Sequence, residues 1–370
     1  MRIAIIATAL AALGFTTTAA AQPFEIRAPD GQTLHGQVDR PDGDTGPPRT
    51  AVIMVPGTGP FDRDASFGKS GTEDDRLFKA LAARLAERGV SAVRFDLRGV
   101  GHGGRATDPA VMGRRTTTTM RDDLGAIYDW ARASNGLAAR CIILFGHSEG
   151  MAHIGRLADA GAPAPLAVFG MGALMQSPVQ VIRWQLTERD GHSLRLMDRD
   201  ADGRTTPEEV RAHIGSTPAA VYGMVEPYLL PGGWGAAELA QLKANQTAAY
   251  EAEKARALAK ADTDAYPSAE APFAAYQWWK SWFTDERPVA ASLARWNAPV
   301  RLHYGDRDSQ TNAEEQAAAA RAALEPSLLS ITVHPGRGHS LGEHVLFGPV
   351  DPTIAGQMAL EMAEAASRCP

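Results

Sequence analysis

Only two cysteines, Cys141 and Cys369, occur in the 370 residues, too few for a thiolate metal centre. Cys141 lies in the apolar run CIILF and reads as a buried strand residue, while Cys369 stands next to the end of the chain. Whether the two pair in an oxidising compartment is open on sequence alone. No block of consecutive basic residues appears and the formal net charge is −6, which excludes the clustered Lys and Arg of a nucleic-acid footprint. Internal repeats are missing too. What remains, 22% charged and 44% hydrophobic residues, is the composition of an ordinary globular protein.

The first residues carry an address. Arg2 precedes an apolar run from Ile3 to Phe15, and small residues follow up to Ala19-Ala20-Ala21. This is the layout of a secretory signal peptide over residues 1–21, with cleavage before Gln22. The run is too short to span a bilayer comfortably, so the mature chain is expected to have no transmembrane segment and to be periplasmic or secreted.

Beyond it, Phe24 to Asp42 alternates around PDGQ as an antiparallel hairpin does. RTAVIMVPGTG, VSAVRFDLRG, RCIILFGHSEG and PLAVFGMGA read as buried strands. Amphipathic helices separate them: one with a capping box at Thr72 and Asp75 and leucines at 77, 81 and 85, another ending at Gly136, a third along EGMAHIGRLADAG. The alternation stops near Ala173, continues as helical pattern to Asn297, and resumes at APVRLHYGDRD and SLLSITVHPG. The fold class is α/β: a mostly parallel sheet flanked by helices, made of 22–172 and 298–370, with a helical insertion over 173–297.

Gly146-His147-Ser148-Glu149-Gly150 fits G-x-S-x-G directly between a buried strand and a helix. Such a turn lifts the serine hydroxyl clear of the sheet, above free N–H groups at the helix start. A serine needs a base, and the base a carboxylate to orient it. Asp306 and Asp308 follow the strand VRLHYG, and His339 follows the strand ending HPG; His334 and His344 lie in the same stretch. Serine, acid and histidine thus come in order, each past the C-terminal end of a strand.

With VPGTGPFDRD, VRFDLRGVGHGG and YGDRDSQT, the chain resembles the α/β-hydrolase superfamily, in particular serine hydrolases of the prolyl-oligopeptidase and serine-aminopeptidase branches. The resemblance covers about 50–170 and 275–345. It implies Ser148 as nucleophile, His339 as general base and acid, Asp308 rather than Asp306 as the acid, and the N–H groups of Thr58 and Glu149 as the oxyanion hole. Asp96 and Arg98 read as structural; Asp62, Arg63 and Asp64 either shape the pocket mouth or pair with each other.

The insertion falls where that superfamily grows a cap. Tyr276, Trp278, Trp279, Trp282 and Phe283 near its end either pack it onto the core or line an aromatic wall. It also holds DRDADGRTTPEE, with the spacing of a calcium-binding EF-hand loop: Asp198, Asp200 and Asp202, the carbonyl of Arg204, Thr206, and a bidentate Glu209, with Gly203 at the sharp turn. A structural Ca2+ is expected there, and no organic cofactor. Thr205 stands at the eighth place, where a paired loop has an aliphatic residue, and no second loop is visible. The functional expectation is an exported serine hydrolase of carboxylic esters, its cap stapled by calcium. A peptidase or amidase working on short peptides with the same triad, and a catalytically silent calcium-binding protein, are the competing readings.

Overall fold

The computed structural model describes residues 20–66, 76–101, 105–212, 226–343 and 348–370. Eight strands form one sheet: β1 (Ala20–Arg27), β2 (Thr33–Arg40), β3 (Thr50–Val55), β4 (Ser91–Phe95), β5 (Cys141–His147), β6 (Ala167–Met171), β7 (Val300–Gly305) and β8 (Leu329–His334), in the order β1-β2-β4-β3-β5-β6-β7-β8. The hairpin β1–β2 is antiparallel and β2 joins β4 antiparallel; every other pairing is parallel. Every residue of β3, β4 and β6 is buried, as continuous apolar runs demand of strands covered on both faces.

The cover is provided by α1 (Leu77–Ala86), α2 (Thr117–Arg132) and α3 (Gly150–Asp159), and after the insertion by α10 (Ala313–Ala323) and α11 (Pro352–Ala366). Leu77, Leu81 and Leu85 are all buried, packed with Met358 and Met362 of α11 on one face of the sheet; α2 and α3 pack on the other. Helix α2 starts earlier than its apolar periodicity suggests, because Thr116 and Thr119 cap it reciprocally. It also stops at Arg132 rather than Gly136, since Ala133 is already extended. The expected Thr72–Asp75 box and residues 1–19 of the signal segment lie outside the described residues. Ala20 and Ala21 open β1, opposite Arg40 and Asp39.

Between β6 and β7 lie α4 (Pro178–Thr187), α5 (Arg189–Arg195), α6 (Pro207–Ala212), α7 (Ala236–Leu258), α8 (Tyr276–Thr284) and α9 (Val289–Leu293). A two-residue ladder joins Ala265–Tyr266 to Ala274–Ala275, too short to show as alternation. Leu194, Met197, Val210, Tyr228 and Trp234 make a small separate core. Among the described residues no helix is long and apolar enough to cross a membrane.

Buried ions are paired. The Arg94 guanidinium holds Asp39 at 2.6 and 2.9 Å and also bonds Asp64, while Arg98 bridges Asp123 and Asp30. The two cysteines pair, tying the start of β5 to the residue 228 positions later. Closing so long a loop removes chain entropy from the unfolded state. Replacing both by serine is expected to lower unfolding free energy by on the order of 3–5 kcal/mol in urea titration, and a reductant should reproduce the loss in the parent protein.

Candidate active site

Ser148 stands at the apex between β5 and α3 with φ +55, in the left-handed region that L residues seldom occupy. Its N–H donates to the Met171 carbonyl at 3.0 Å and its own carbonyl accepts from Met151 at 3.1 Å. A Cβ on Gly150 would lie 2.2 Å from the Val55 carbonyl oxygen, and one on Gly57 would lie 2.8 Å from Cβ of Ser148. The first shows why the helix must begin on glycine to pack against β3. The second shows how closely the loop after β3 crosses the serine.

Asp308 follows β7 and His339 follows β8, and the structure brings them together: Nδ1 of His339 lies 2.8 and 3.0 Å from the two carboxylate oxygens. Both side chains are buried. The carboxylate also accepts from the N–H groups of Gln310 and Thr311 and from the Thr311 hydroxyl, so its orientation is fixed independently of the histidine. Asp306 instead accepts the Gly336 N–H at 2.7 Å and anchors the loop. His334 is engaged with His303 at 3.1 Å; His344 lies outside the described residues. The Ser148 hydroxyl has no hydrogen bond among the described residues, so it is not bonded to His339. The ring of its neighbour His147 sits 4.8 Å from that of His339, which places the histidine beside the elbow.

The N–H groups of Thr58 and Glu149 have no partner among the described residues, leaving both free to receive an anion. Their side chains meet: the Thr58 hydroxyl donates to one oxygen of Glu149, and the Trp278 indole donates to the other at 2.7 Å. His153, one turn along α3, is 3.8 Å from Glu149. Burial pushes its pKa down to about 4, outweighing the nearby carboxylate that opposes the shift. Burial and the neighbouring His339 likewise push His147 well down. The aromatic cluster draws attention to Trp278 but not to its bond with Glu149, and His153 carries no sequence signal, since it resembles an ordinary core residue.

Asp96 and Arg98 are structural as expected, with Asp96 holding Arg63. The stretch from Asp62 to Asp64 pairs beyond itself as well as within, the Asp64 N–H donating to Asp62 at 3.2 Å. Arg63 reaches Asp96 and Asp64 reaches Arg94, so it clamps a loop onto β4.

No family model matches the chain, and no curated protein does. Solved structures do. Est1E from Butyrivibrio proteoclasticus is 14% identical, with 94% of this chain and 99% of that chain covered at a TM-score of 0.52. The proline iminopeptidase of Mycobacterium smegmatis is 16% identical, with 94% and 98% covered at 0.53. The alpha/beta hydrolase GrgF from Penicillium sp. sh18 is 17% identical, with 94% and 98% covered at 0.50. The chain has the α/β-hydrolase fold.

On this α/β-hydrolase scaffold the aromatic helix α8 is mainly packing. Tyr276, Trp278, Trp282 and Phe283 are buried, and Trp279 stacks on Tyr266. The acidic loop is built as its spacing suggests in part. Carboxylate oxygens of Asp198, Asp200 and Asp202 lie within 4.8 Å of one another. Asp198 also accepts the Gly203 N–H at 2.9 Å, where Gly203 turns with φ +86. Glu209 is not in the cluster: its oxygens accept from the N–H groups of Arg199 and Thr206 and from the Thr206 hydroxyl. The Arg204 side chain turns away, to the carbonyls of Gly232 and Gly233.

Thr205 and Trp234 exchange two backbone hydrogen bonds, at 3.0 and 2.8 Å, which ties the acidic loop to the turn before α7. Glu238 caps that helix through the Gly235 N–H at 2.9 Å, as Glu209 bonds the N–H of Thr206.

Neutral His153 gives a pH test. Its unfolded-state pKa is near 6.5 and its folded one near 4, so the unfolded chain binds the proton first. Its contribution is complete above pH 6.5 and declines as pH falls, until it is lost near 4. His153→Gln is expected to flatten the fall of the urea midpoint over that window, by up to ~1.4 kcal/mol per pH unit.

Proposed function

We propose that the protein is an exported serine hydrolase that cleaves carboxylic esters through an acyl-enzyme intermediate. The buried Asp308–His339 pair beside the elbow that carries Ser148 is the observation that supports this most strongly. Aspartate orients the ring and stabilises its cation. The other ring nitrogen, Nε2, is left to take the serine proton. Nucleophile–base contacts often tighten only when substrate is bound. Attack forms the Oγ–carbon bond, and the carbonyl oxygen gains charge, received by the N–H groups of Thr58 and Glu149. Collapse breaks the ester bond, with His339 passing its proton to the departing alkoxide. Water then repeats the sequence on the acyl-enzyme and frees the acid. The cysteine pairing is in keeping with export to an oxidising compartment.

The cap also fits a calcium ion. Oxygen-only donors at this spacing suit a hard cation, three close carboxylates repel without one, and Oδ1 of Asp198 is buried with no partner. Asp198, Asp200 and Asp202 would hold the ion together with the Arg204 carbonyl, Thr206 and, after release from its cap bonds, Glu209. Bound there, it supplies charge neutralisation that staples α5 to α6.

A fluorophosphonate probe is expected to label the protein at Ser148, with labelling abolished in Ser148→Ala. Asp308→Asn should cut turnover of 4-nitrophenyl acetate by about 10³–10⁴-fold while leaving the fold intact. Labelling that persists in Ser148→Ala refutes the assignment, and a panel of peptide amides tests whether amines also serve as leaving groups. Calcium should raise the melting temperature over that in chelator, and Asp198→Ala with Asp200→Ala should remove the difference. Coincident melts would remove calcium from the cap.

A further inference from the structure

Arg115 is among the largest fully buried side chains, 1% exposed, yet its donors are largely idle. Nε and Nη1 have no hydrogen-bond partner, and Nη2 reaches the Gly59 carbonyl only at 3.5 Å. Among the described residues no carboxylate pairs with it, in contrast to Arg94 and Arg98, which are fully engaged. A buried guanidinium is ordinarily saturated, because idle N–H groups out of water are costly.

Its location gives the idle donors a meaning. Gly59 directly follows Thr58. The guanidinium carbon stands 4.7 Å over the Phe273 ring, Phe273 packs on Trp278 at 5.0 Å, and Trp278 bonds Glu149 beside the nucleophile. The Arg115 carbonyl accepts the Ala275 N–H at 2.8 Å, so the stretch before α8 fixes the arginine's backbone beside the loop that carries Thr58 and Gly59. Glu149 makes no direct hydrogen bond to it, its oxygens accepting from Thr58 and Trp278, and its charge acts on the guanidinium only at longer range.

We propose that Arg115 is a specificity residue that binds a carboxylate on the substrate, making half-esters of dicarboxylic acids the preferred class. The proposal rests on the hydrolase reading above. A guanidinium stacked on one aromatic face keeps its in-plane edge for a planar, singly charged acceptor, which it grips through two parallel hydrogen bonds. A phosphate dianion would call for a second free cation, and the nearby Arg98 is committed to Asp123 and Asp30.

The test compares mono-4-nitrophenyl glutarate with 4-nitrophenyl valerate, similar in length and differing in the terminal charge. The parent protein is expected to favour the glutarate ester in kcat/KM. Arg115→Met should lower the glutarate-to-valerate ratio at least 30-fold, mainly through KM, and Arg115→Lys should restore part of it. Free glutarate should slow fluorophosphonate labelling of the parent protein where valeramide does not. An unchanged ratio in Arg115→Met, equal loss on both esters, or a parent protein indifferent to the charge overturns the proposal and leaves a structural arginine hydrated by water. Should Arg115→Met fail to fold by circular dichroism, Arg115→Lys and the glutarate protection decide. Failure of the hydrolase reading looks different: Ser148 unlabelled and neither ester cleaved, in which case calorimetric titration of glutarate into the parent protein and Arg115→Lys decides the binding claim.

Discussion

At the carboxyl ends of β3, β5 and β6 the backbones come so close that almost nothing but hydrogen fits between them. Where Gly150 meets the Val55 carbonyl, a single carbon would sit at 2.2 Å, far inside contact distance. That crowding is what forces Ser148 into its positive φ, and the strain is sustained because three strands and a helix converge on it. The same closeness lets the loop after β3 cross the serine at Gly57, so that Thr58 and Glu149 share one side of the apex. Where His339 approaches Gly172, a side chain would strike its ring at 2.6 Å. The chemistry therefore depends on backbone approach first and on side-chain identity second.

What was legible in the sequence follows from this. Parallel strands buried on both faces are continuous apolar runs, and the turns that end them must be glycine-rich, so β3, β5, β6 and β7 and the residues just past them could be read directly, whereas β8, at the sheet edge and largely uncovered, showed only as a short β-prone run. The Asp308–His339 contact joins residues 31 positions apart; chain order suggested an acid after β7 and a histidine after β8, and the family resemblance chose Asp308 over Asp306. Arg115 could not be read. The second of two consecutive arginines before a threonine-rich helix start looks like surface, and only the fold shows that it is enclosed. The bridge from Thr205 to Trp234 was hidden as well, because a single residue pair between two loops leaves no alternation in the sequence.

The exchange between Thr205 and Trp234 draws Leu194, Met197, Val210 and Tyr228 together with the indole into a core of their own. Arg204 does the joining on the polar side, bonding the carbonyls of Gly232 and Gly233 and approaching Glu238 at 3.6 Å. One loop is thus fastened to the other by a backbone bridge below and a guanidinium above.

The bond from the Trp278 indole to Glu149 bears on how the insertion can move. Helix α8 is fastened to the residue after Ser148, so swinging it outward would strip a buried carboxylate of one of its two donors. On the hydrolase reading proposed above, this helix is a fixed lintel and not a door, and molecules come and go around its edges.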